Sequence, residues 1–364
     1  MIVACNKRSI SGALPYTIAF LIPISATLGP ILGGIFWYAT PILGFVVIPV
    51  MDFLFGDESF QPNESDEITE KDSMPYKLLT WIYAPVHIGI TGWGAWYYSV
   101  HSMTIVEASG LLLSVGISSG ALGFTVGHEL AHRGNRFERS LSVAILSFTN
   151  YTHFIIEHCV GHHARVATPA DPASSRLGEN LYAFLPRTVY GGWTNAWSYE
   201  EKRVSKHKGI KKHLANRMLH YTFLQALINL GFILFLGLEG WCFFFFVSII
   251  SVLLLEVINY IEHYGLRREM VDKDRQRYEK VQPHHSWNAN HKISNLFLFR
   301  LQRHSDHHAH PLRRYQLLRS YHQVPQLPYG YPTMTLLAFI PSLWSLVMDP
   351  RVAAARKNSP SPRR

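Results

Sequence analysis

The chain has 364 residues and a mass of 41.6 kDa, and its composition is that of a membrane protein. Only 16% of the residues are charged, against about 25% in ordinary globular proteins, and 48% are hydrophobic, which excludes a disordered chain. A net charge of +9 would suggest nucleic acid in a soluble protein, but in a membrane protein the positions of the charges matter more, and we expect no nucleic acid partner. Three cysteines without CxxC spacing exclude a disulfide framework and a cysteine zinc ribbon, so the 20 histidines are the informative residues.

Six apolar runs have the length of a transmembrane helix, which is about 20 residues. They form three hairpins, with turns near residues 29–34, 100–106 and 236–241. The sequence therefore predicts an all-α polytopic membrane protein with six transmembrane helices. The six runs cover approximately residues 12–29, 31–51, 78–100, 104–127, 218–237 and 240–261.

The positions of lysine and arginine predict the orientation of these helices. None of the 34 lies in the three turns; all occur at the termini, in residues 52–77, in residues 128–217 or after residue 262. Six crossings place all these segments on one side of the membrane, and the positive-inside rule makes that side cytoplasmic. We therefore predict that both termini face the cytoplasm.

The segments outside the helices carry three further predictions. The acidic loop, residues 52–77, is interpreted as a solvated linker without function. Residues 1–350 are predicted to form one membrane-embedded domain. Residues 351–364 combine Pro and Ser with Lys and Arg and are predicted to be a disordered basic tail.

The first of three histidine clusters follows the fourth predicted helix. His128 and His132 are four residues apart, so they share one face of a helix and can ligate one metal. With Glu129 they form an HExxH string, which is also the motif of zinc metalloproteases, where the glutamate is the general base. This cluster alone therefore leaves a zinc protease open.

The second cluster has HxxxHH spacing. His158 and His162 are predicted to share a helical face, whereas His163, one residue further, points about 100° away. One segment can therefore supply two different metals, which favours a dinuclear site. His153, one turn before His158, is interpreted as a neighbour of the ligands, whereas His101 is expected to be a packing or interfacial residue.

The third cluster has HxxHH spacing, and one more histidine ends the sixth predicted helix at the same membrane face. A catalytic zinc takes three protein ligands, whereas the full set of imidazoles suffices for two metals. Imidazole suits Zn, Cu, Fe and Ni, so the ligand type does not choose the metal. The predicted metal ligands are His128, His132, His158, His162, His163, His263, His304, His307 and His308. Four acidic residues neighbour these histidines, and each is predicted either to orient a ring or to pair with a nearby arginine. They are Glu129, Glu157, Glu262 and Asp306.

Long strings around these clusters resemble a known family, the bacterial membrane-bound alkane 1-monooxygenases, which belong to the histidine-rich integral membrane di-iron hydroxylases and desaturases. The strings are HELAHR, EHCVGHHARVATPADPASSRLGE, NYIEHYGLRR, HHSWNANHKISNLFLFRLQRHSDHHAHPLRRYQLLR and PQLPYGYP. The family often has glycine where this chain has Ala131, a change that leaves the ligands untouched. The resemblance extends from the first predicted helix to about Val352, and it implies two non-haem iron ions held by the nine histidines.

The resemblance also implies the reaction and its partners. Medium-chain n-alkanes would be hydroxylated at the terminal methyl group with O2, giving a primary alcohol and water, in the bacterial inner membrane with the active site on the cytoplasmic side. Electrons would come from rubredoxin, which rubredoxin reductase reduces with NAD(P)H, because the chain itself has neither a Rossmann fingerprint nor a CxxC pair. The predicted docking patch for an acidic rubredoxin comprises Arg267, Arg268, Lys292, Arg300, Arg303, Arg313 and Arg314.

An alkane dissolves in membrane lipid and can enter a site between the helices. Gly44 is predicted to border this channel where a larger residue would block long chains; helix packing is the alternative role. Other apolar substrates also stay open, such as an alkylbenzene or a fatty acyl chain, as does a desaturase. A membrane zinc protease would leave two clusters unexplained, and a metal transporter should carry ionisable ligands at mid-membrane, where these helices have almost none.

Overall fold

The computed structural model describes residues 7–272, 274–275 and 277–358, and these residues are mostly helical. The small sheet among them pairs two antiparallel strands, Met270–Asp272 and Arg277–Tyr278. This architecture confirms the predicted all-α fold class.

Within the described residues, three helices are long and apolar enough to cross a membrane. They are Gly34–Phe55, Ile105–Ala131 and Arg217–His263. The third has 47 residues and breaks at Gly237, where a φ of 68° suits a residue without a Cβ atom. This break coincides with the predicted turn between the fifth and sixth runs. The two other predicted runs correspond to the 27-residue helix Met74–Val100 and the shorter apolar helix Ser9–Ser25.

Several of these helices change their winding along their length. Leu14–Phe20 and Gly34–Tyr38 are 3₁₀-helical, whereas Leu43–Val47 and Ser119–Gly123 are π-helical. A third π-helical segment, Glu157–His162, lies inside the second histidine cluster. π-Helical turns are rare and often occur at functional sites, so the third segment marks the second histidine cluster as a candidate site.

Shorter helices connect and cover the apolar ones. They are Leu28–Leu32, Glu64–Glu70, Arg136–Ser147, Phe154–Ile156, His163–Arg165, Leu181–Val204, Ile210–Ala215, Lys292–Phe297, His304–Ala309, Tyr331–Ala338 and Pro341–Asn358, with 3₁₀ turns at Pro283–His285 and Tyr315–Leu317. Helix Arg217–His263 contacts Met74–Val100, Ile105–Ala131, Leu181–Val204 and Tyr331–Ala338, and so forms the centre of the bundle.

The acidic loop is packed against the segment that carries the third histidine cluster. Glu58, whose side chain is 11% exposed, accepts hydrogen bonds from Arg303 Nη2 at 2.9 Å, Arg300 Nε at 3.0 Å and Asn295 Nδ2 at 2.9 Å. Glu67 pairs with Arg313 at 2.6 Å. The interpretation as a solvated linker is therefore wrong: buried guanidinium groups need carboxylate partners, and this loop supplies them.

The expected disorder of the C-terminal tail is wrong for residues 351–358, which continue the helix Pro341–Asn358. Val352 is fully buried, and Arg356 donates from Nε to the carbonyl oxygen of Gly265 at 2.9 Å. These contacts dock the segment on the bundle. Residues 359–364 lie outside the described residues.

Candidate metal centre

All nine predicted histidines converge in two adjacent groups, and within each group the ligand atoms lie within 4.8 Å of one another. The five-histidine group contains His128, His132, His158, His163 and His307. The four-histidine group contains His162, His263, His304 and His308. Residues from four separate chain segments thus meet in two groups, each of which could hold a metal ion.

The first cluster contributes to one group only. His128 lies in the last turn of helix Ile105–Ala131, and His132 follows at its end, with the two ring centroids 5.0 Å apart. The ring of His128 also lies 4.5 Å from that of His158 and 4.4 Å from that of His307. Spacing of four residues on an α-helix therefore produces the shared face that the sequence predicts.

The second cluster supplies both groups, but with a different division from the predicted one. His158 Nε2 lies 3.0 Å from His163 Nε2, whereas His162 joins the four-histidine group, with Nε2 3.2 Å from His308 Nε2. The predicted pairing of His158 with His162 is wrong because Glu157–His162 is π-helical. In a π-helix the hydrogen bonds join residues five apart, which brings His158 and His163 to one face.

The third cluster also serves both groups from one short helix, His304–Ala309. His304 and His308 are one turn apart, with their Nε2 atoms 2.8 Å from each other, and His263 Nε2 lies 3.3 Å from His304 Nε2. His307 points into the five-histidine group, 3.1 Å from His163 Nε2. Across the boundary between the groups, the rings of His163 and His308 stack with centroids 4.4 Å apart.

The chemistry of these nitrogens fits metal ions. Burial lowers the pKa of His158, His163 and His307 well below the ordinary range, which keeps the rings neutral with a lone pair available. The Nε2 atoms of His128 and His132 are buried and have no hydrogen-bond partner. Buried polar atoms are normally satisfied, and a cation between these convergent nitrogens would satisfy them.

Asp171 is a carboxylate of this site that the residue-by-residue reasoning missed. Its Oδ2 lies 2.8 Å from His162 Nδ1 and accepts from Ser174 Oγ at 2.6 Å, and the residue is 2% exposed. Burial alone lowers the pKa of His162, but the Asp171 carboxylate outweighs it and raises that pKa. A carboxylate on the second ring nitrogen is the usual device that fixes the orientation of a ligating histidine. The sequence signal for Asp171 was the ATPADPASS string, which forms part of the second long motif.

The four predicted acidic neighbours have different partners. Glu262 lies against the four-histidine group, with Oε2 3.0 Å from His304 Nε2 and Oε1 accepting from Tyr331 at 2.7 Å. The other three pair with arginines, which is the second role that the sequence predicts for them. The pairs are Glu129 with Arg133 at 2.9 Å, Asp306 with Arg313 at 2.5 Å, and Glu157 with Arg165 at 3.9 Å. Burial and the nearby Asp171 raise the pKa of Glu157 to about 8.

A third group of potential ligands does not fit a metal. The ligand atoms of Glu279, His284 and His285 also lie within 4.8 Å of one another. However, the backbone N–H of Gln282 donates to His285 Nδ1 at 3.0 Å, so in a neutral ring the proton is on Nε2. That nitrogen then donates to Glu279 Oε1, 3.2 Å away, and has no lone pair for a metal.

An apolar cavity reaches the centre from between the helices. His128, His158 and His304 line it, so it borders both groups. Gly44 is on its wall, and a Cβ atom there would meet only Ile117 Cγ2, at 4.0 Å. The rest of the wall is mostly aliphatic and aromatic and includes Ile22, Phe45, Ile48, Phe124, Phe154, Leu254, Ile258, Phe297 and Leu301.

Most of the predicted docking cations are not available on the surface. Arg300 and Arg303 are 4% and 0% exposed and pair with Glu58, and Arg314 pairs with Glu138 at 2.9 Å. The docking prediction is wrong for these residues and for Arg313, which pairs with Asp306 and Glu67. Of these acidic partners, Glu58, Glu67 and Glu138 come from distant parts of the chain. Arg268 is partly buried and donates to the carbonyl oxygen of Glu279, whereas Arg267 and Lys292 are exposed.

Comparison with known sequences agrees with this geometry. Residues 103–338 match the fatty acid desaturase family, which gives the class of the enzyme. The chain is 42% identical over 313 residues to alkane 1-monooxygenase 2 of Pseudomonas aeruginosa, covering 85% of this chain and 82% of that protein. It is 41% identical over 332 residues to alkane 1-monooxygenase of Pseudomonas putida, with coverage of 88% and 79%.

A more distant relative is the xylene/toluene monooxygenase hydroxylase component of Pseudomonas putida, 25% identical over 342 residues, with coverage of 92% and 88%. Within the fatty acid desaturase class, the chain belongs to the alkane 1-monooxygenase family. It is therefore a membrane oxidoreductase. The zinc protease and transporter interpretations are set aside, because neither accounts for two adjacent histidine groups beside an apolar cavity.

Proposed function

We propose that this enzyme hydroxylates medium-chain n-alkanes at the terminal methyl group, using O2 and two electrons. The observation that carries the proposal is the apolar cavity, which extends from between the helices to both histidine groups. An unbranched alkane has only apolar surface to offer, and this wall buries such a chain without leaving polar groups unpaired.

The proposed cofactor is two non-haem iron ions, one in each histidine group. When bound, the irons supply the activation of O2 and the oxidising power that attacks a C–H bond. The chain's own residues do the remaining work: neutral imidazoles hold the metals, Asp171 orients His162, and the cavity wall excludes water and directs the end of the alkane towards His128, His158 and His304.

The proposed topology has six crossings, with both termini and the metal centre on the cytoplasmic side of the bacterial inner membrane. Three apolar helices and the distribution of lysine and arginine support it. The break at Gly237 supports counting Arg217–His263 as two crossings, since a helix of 47 residues is about 70 Å long, roughly twice the thickness of the hydrocarbon core.

The proposed electron donor is rubredoxin, reduced by rubredoxin reductase with NAD(P)H. Among the ligands, His163 is only partly buried, and the residues after it reach the surface at Ala164 and Arg165. Leu312, on the segment after the third cluster, is 71% exposed. Docking near His163, with the exposed Arg267 and Lys292 as the remaining predicted cations, would bring the donor close to both groups.

Metal content and turnover together test the main proposal. Elemental analysis of purified protein should find two irons per chain, and protein supplied with rubredoxin, its reductase and NAD(P)H should convert n-alkanes to primary alcohols. An alkylbenzene belongs in the same panel because of the distant xylene/toluene relative. Zinc in place of iron, or turnover of the alkylbenzene alone, would contradict the assignment.

Replacing Gly44 by tryptophan tests the role of the cavity. The indole would project into open space, and we expect the longest accepted alkane to lose several carbons while the shortest substrates are still hydroxylated. Gly89→Trp is a matched control, because Gly89 also has open space around its Cβ position but lines a separate groove. If both variants keep the wild-type length profile, Gly44 has only a packing role.

A further inference from the structure

A lateral groove lies beside the metal centre, between the helices Leu181–Val204 and Arg217–His263 and the segment Thr149–His153. One part of its wall is apolar and includes Phe245, Ile249 and Leu253. The other part is polar and includes Asn150, His153, Gln225, Asn229 and Ser248. The groove thus has the two-sided character that an amphiphile with one polar end requires.

The polar side of this groove is ordered by hydrogen bonds. Asn229 Nδ2 donates to Asn150 Oδ1 at 2.7 Å, and Asn150 Nδ2 donates to Ser248 Oγ at 3.0 Å. Gln225 Nε2 donates to Thr152 Oγ1 at 3.0 Å. Polar side chains in a helix at membrane depth are costly, so an ordered group of them calls for an explanation.

His153 is the exception in this network. It is 8% exposed, lies outside both histidine groups, and its Nε2 is buried without a hydrogen-bond partner. The residue lines two spaces at once: the lateral groove and a smaller cavity. A buried nitrogen without a partner, on a residue that lines the groove, is available to a hydroxyl group that reaches it.

The smaller cavity lies between the groove and the metal centre. It shares His153 and Tyr151 with the groove, and it shares His158 and Asn259 with the apolar cavity. Thr188 and Glu256 also line it, so it is more polar than the apolar cavity. His153 therefore stands between the lateral groove and the residues around His158.

We propose that the lateral groove binds the primary alcohol product, with His153 as the hydrogen-bond partner of the hydroxyl group. This inference rests on the proposed function. Substrate and product differ by one hydroxyl, which is costly to bury unpaired in the apolar cavity. A site built to hydrogen-bond a hydroxyl strongly disfavours the analogue that lacks it, so the groove accepts the alcohol and not the alkane.

The test uses iron-loaded protein in lipid nanodiscs and a 1-dodecanol probe with a photoreactive diazirine in its chain. Mass spectrometry should find labelled peptides from the groove, around Gln225–Asn229 and Ile249–Leu253. Excess 1-dodecanol should reduce this labelling at least fivefold, whereas dodecane should not. The same excess of phospholipid should have little effect.

Substitutions at His153 make the test specific. His153→Phe should abolish competition by 1-dodecanol in the groove and weaken product inhibition by 1-dodecanol about fivefold, whereas His153→Gln, which keeps a hydrogen-bonding end, should retain both. His101→Phe is the matched control, because His101 lines a separate lateral groove with Trp93 and Trp96. Iron content should be unchanged in all three variants.

The outcomes separate this inference from the proposed function. If alkanes are hydroxylated but labelling is confined to the apolar cavity, or phospholipid competes as well as 1-dodecanol, the product role of the groove is overturned and the proposed function stands. If the groove binds the probe but alkanes are not hydroxylated, the proposed function fails, and with it the product role.

Discussion

The two histidine groups are built differently. In the four-histidine group, His162 is hydrogen-bonded to the buried Asp171, and His304 lies 3.0 Å from Glu262. In the five-histidine group, His128 and His132 extend from the end of an apolar helix, and their Nε2 atoms are unpartnered. A carboxylate therefore orients His162 from its second ring nitrogen, whereas helix geometry, and a metal when bound, orient His128 and His132.

The largest expected effect comes from removing one ligand that belongs to a single group. His132→Ala should remove the metal of the five-histidine group and His263→Ala that of the four-histidine group, each lowering the iron content from two to one. Hydroxylation should fall by more than the roughly 100-fold typical of indirect metal-site changes. If either substitution removes both irons, the two groups are not independent sites.

Glu58→Gln is expected to have a smaller effect, which extends to both histidine groups. Glu58 pairs with Arg300 and Arg303, which stand directly before the helix that sends ligands to both groups. Removing one partner of a buried ion pair lowers the free energy of unfolding by about 3–5 kcal/mol. The thermal midpoint should therefore fall, and both irons should bind more weakly.

Asp72→Asn, in the same acidic loop, is the control for Glu58→Gln. Asp72 is largely exposed and pairs with Lys77, an interaction worth about 0–1 kcal/mol. If the two substitutions lower the thermal midpoint equally, the acidic loop does not hold the third cluster in place.

The smallest of these effects, and the most selective, is expected from Asp171→Asn. Loss of the carboxylate should weaken metal binding by about 10–100-fold at the four-histidine group and leave the other group unchanged. Competition with a chelator, followed by elemental analysis, measures both affinities. Ser174→Ala, which keeps the carboxylate and removes one hydrogen bond to Asp171 and the acceptor of the Ala167 N–H, should weaken metal binding much less. Equal weakening at both groups would mean that Asp171 has a general structural role.

The sequence was most informative where local spacing decides geometry. The spacing of His128 and His132 correctly predicted one shared face, because that segment is α-helical. The same reasoning divided the second cluster incorrectly, because nothing in the spacing of His158, His162 and His163 reveals a π-helical turn. Helical periodicity therefore located the ligands but could not divide all of them between the metals.

Sequence reasoning was weakest where partners are distant in the chain. The charges of Arg300 and Arg303 suggested an exposed patch, yet both are buried against Glu58, 242 and 245 positions away. An acidic loop and a basic segment each look solvated when read alone. Their mutual neutralisation depends on a tertiary contact that composition does not encode.

The stacked rings of His163 and His308 have a consequence for the supply of electrons. They come from different groups, and their centroids are 4.4 Å apart. The two groups therefore share a boundary at this point, with one imidazole from each on either side. Under the proposed function, a donor docked near His163 would lie close to both groups from a single position.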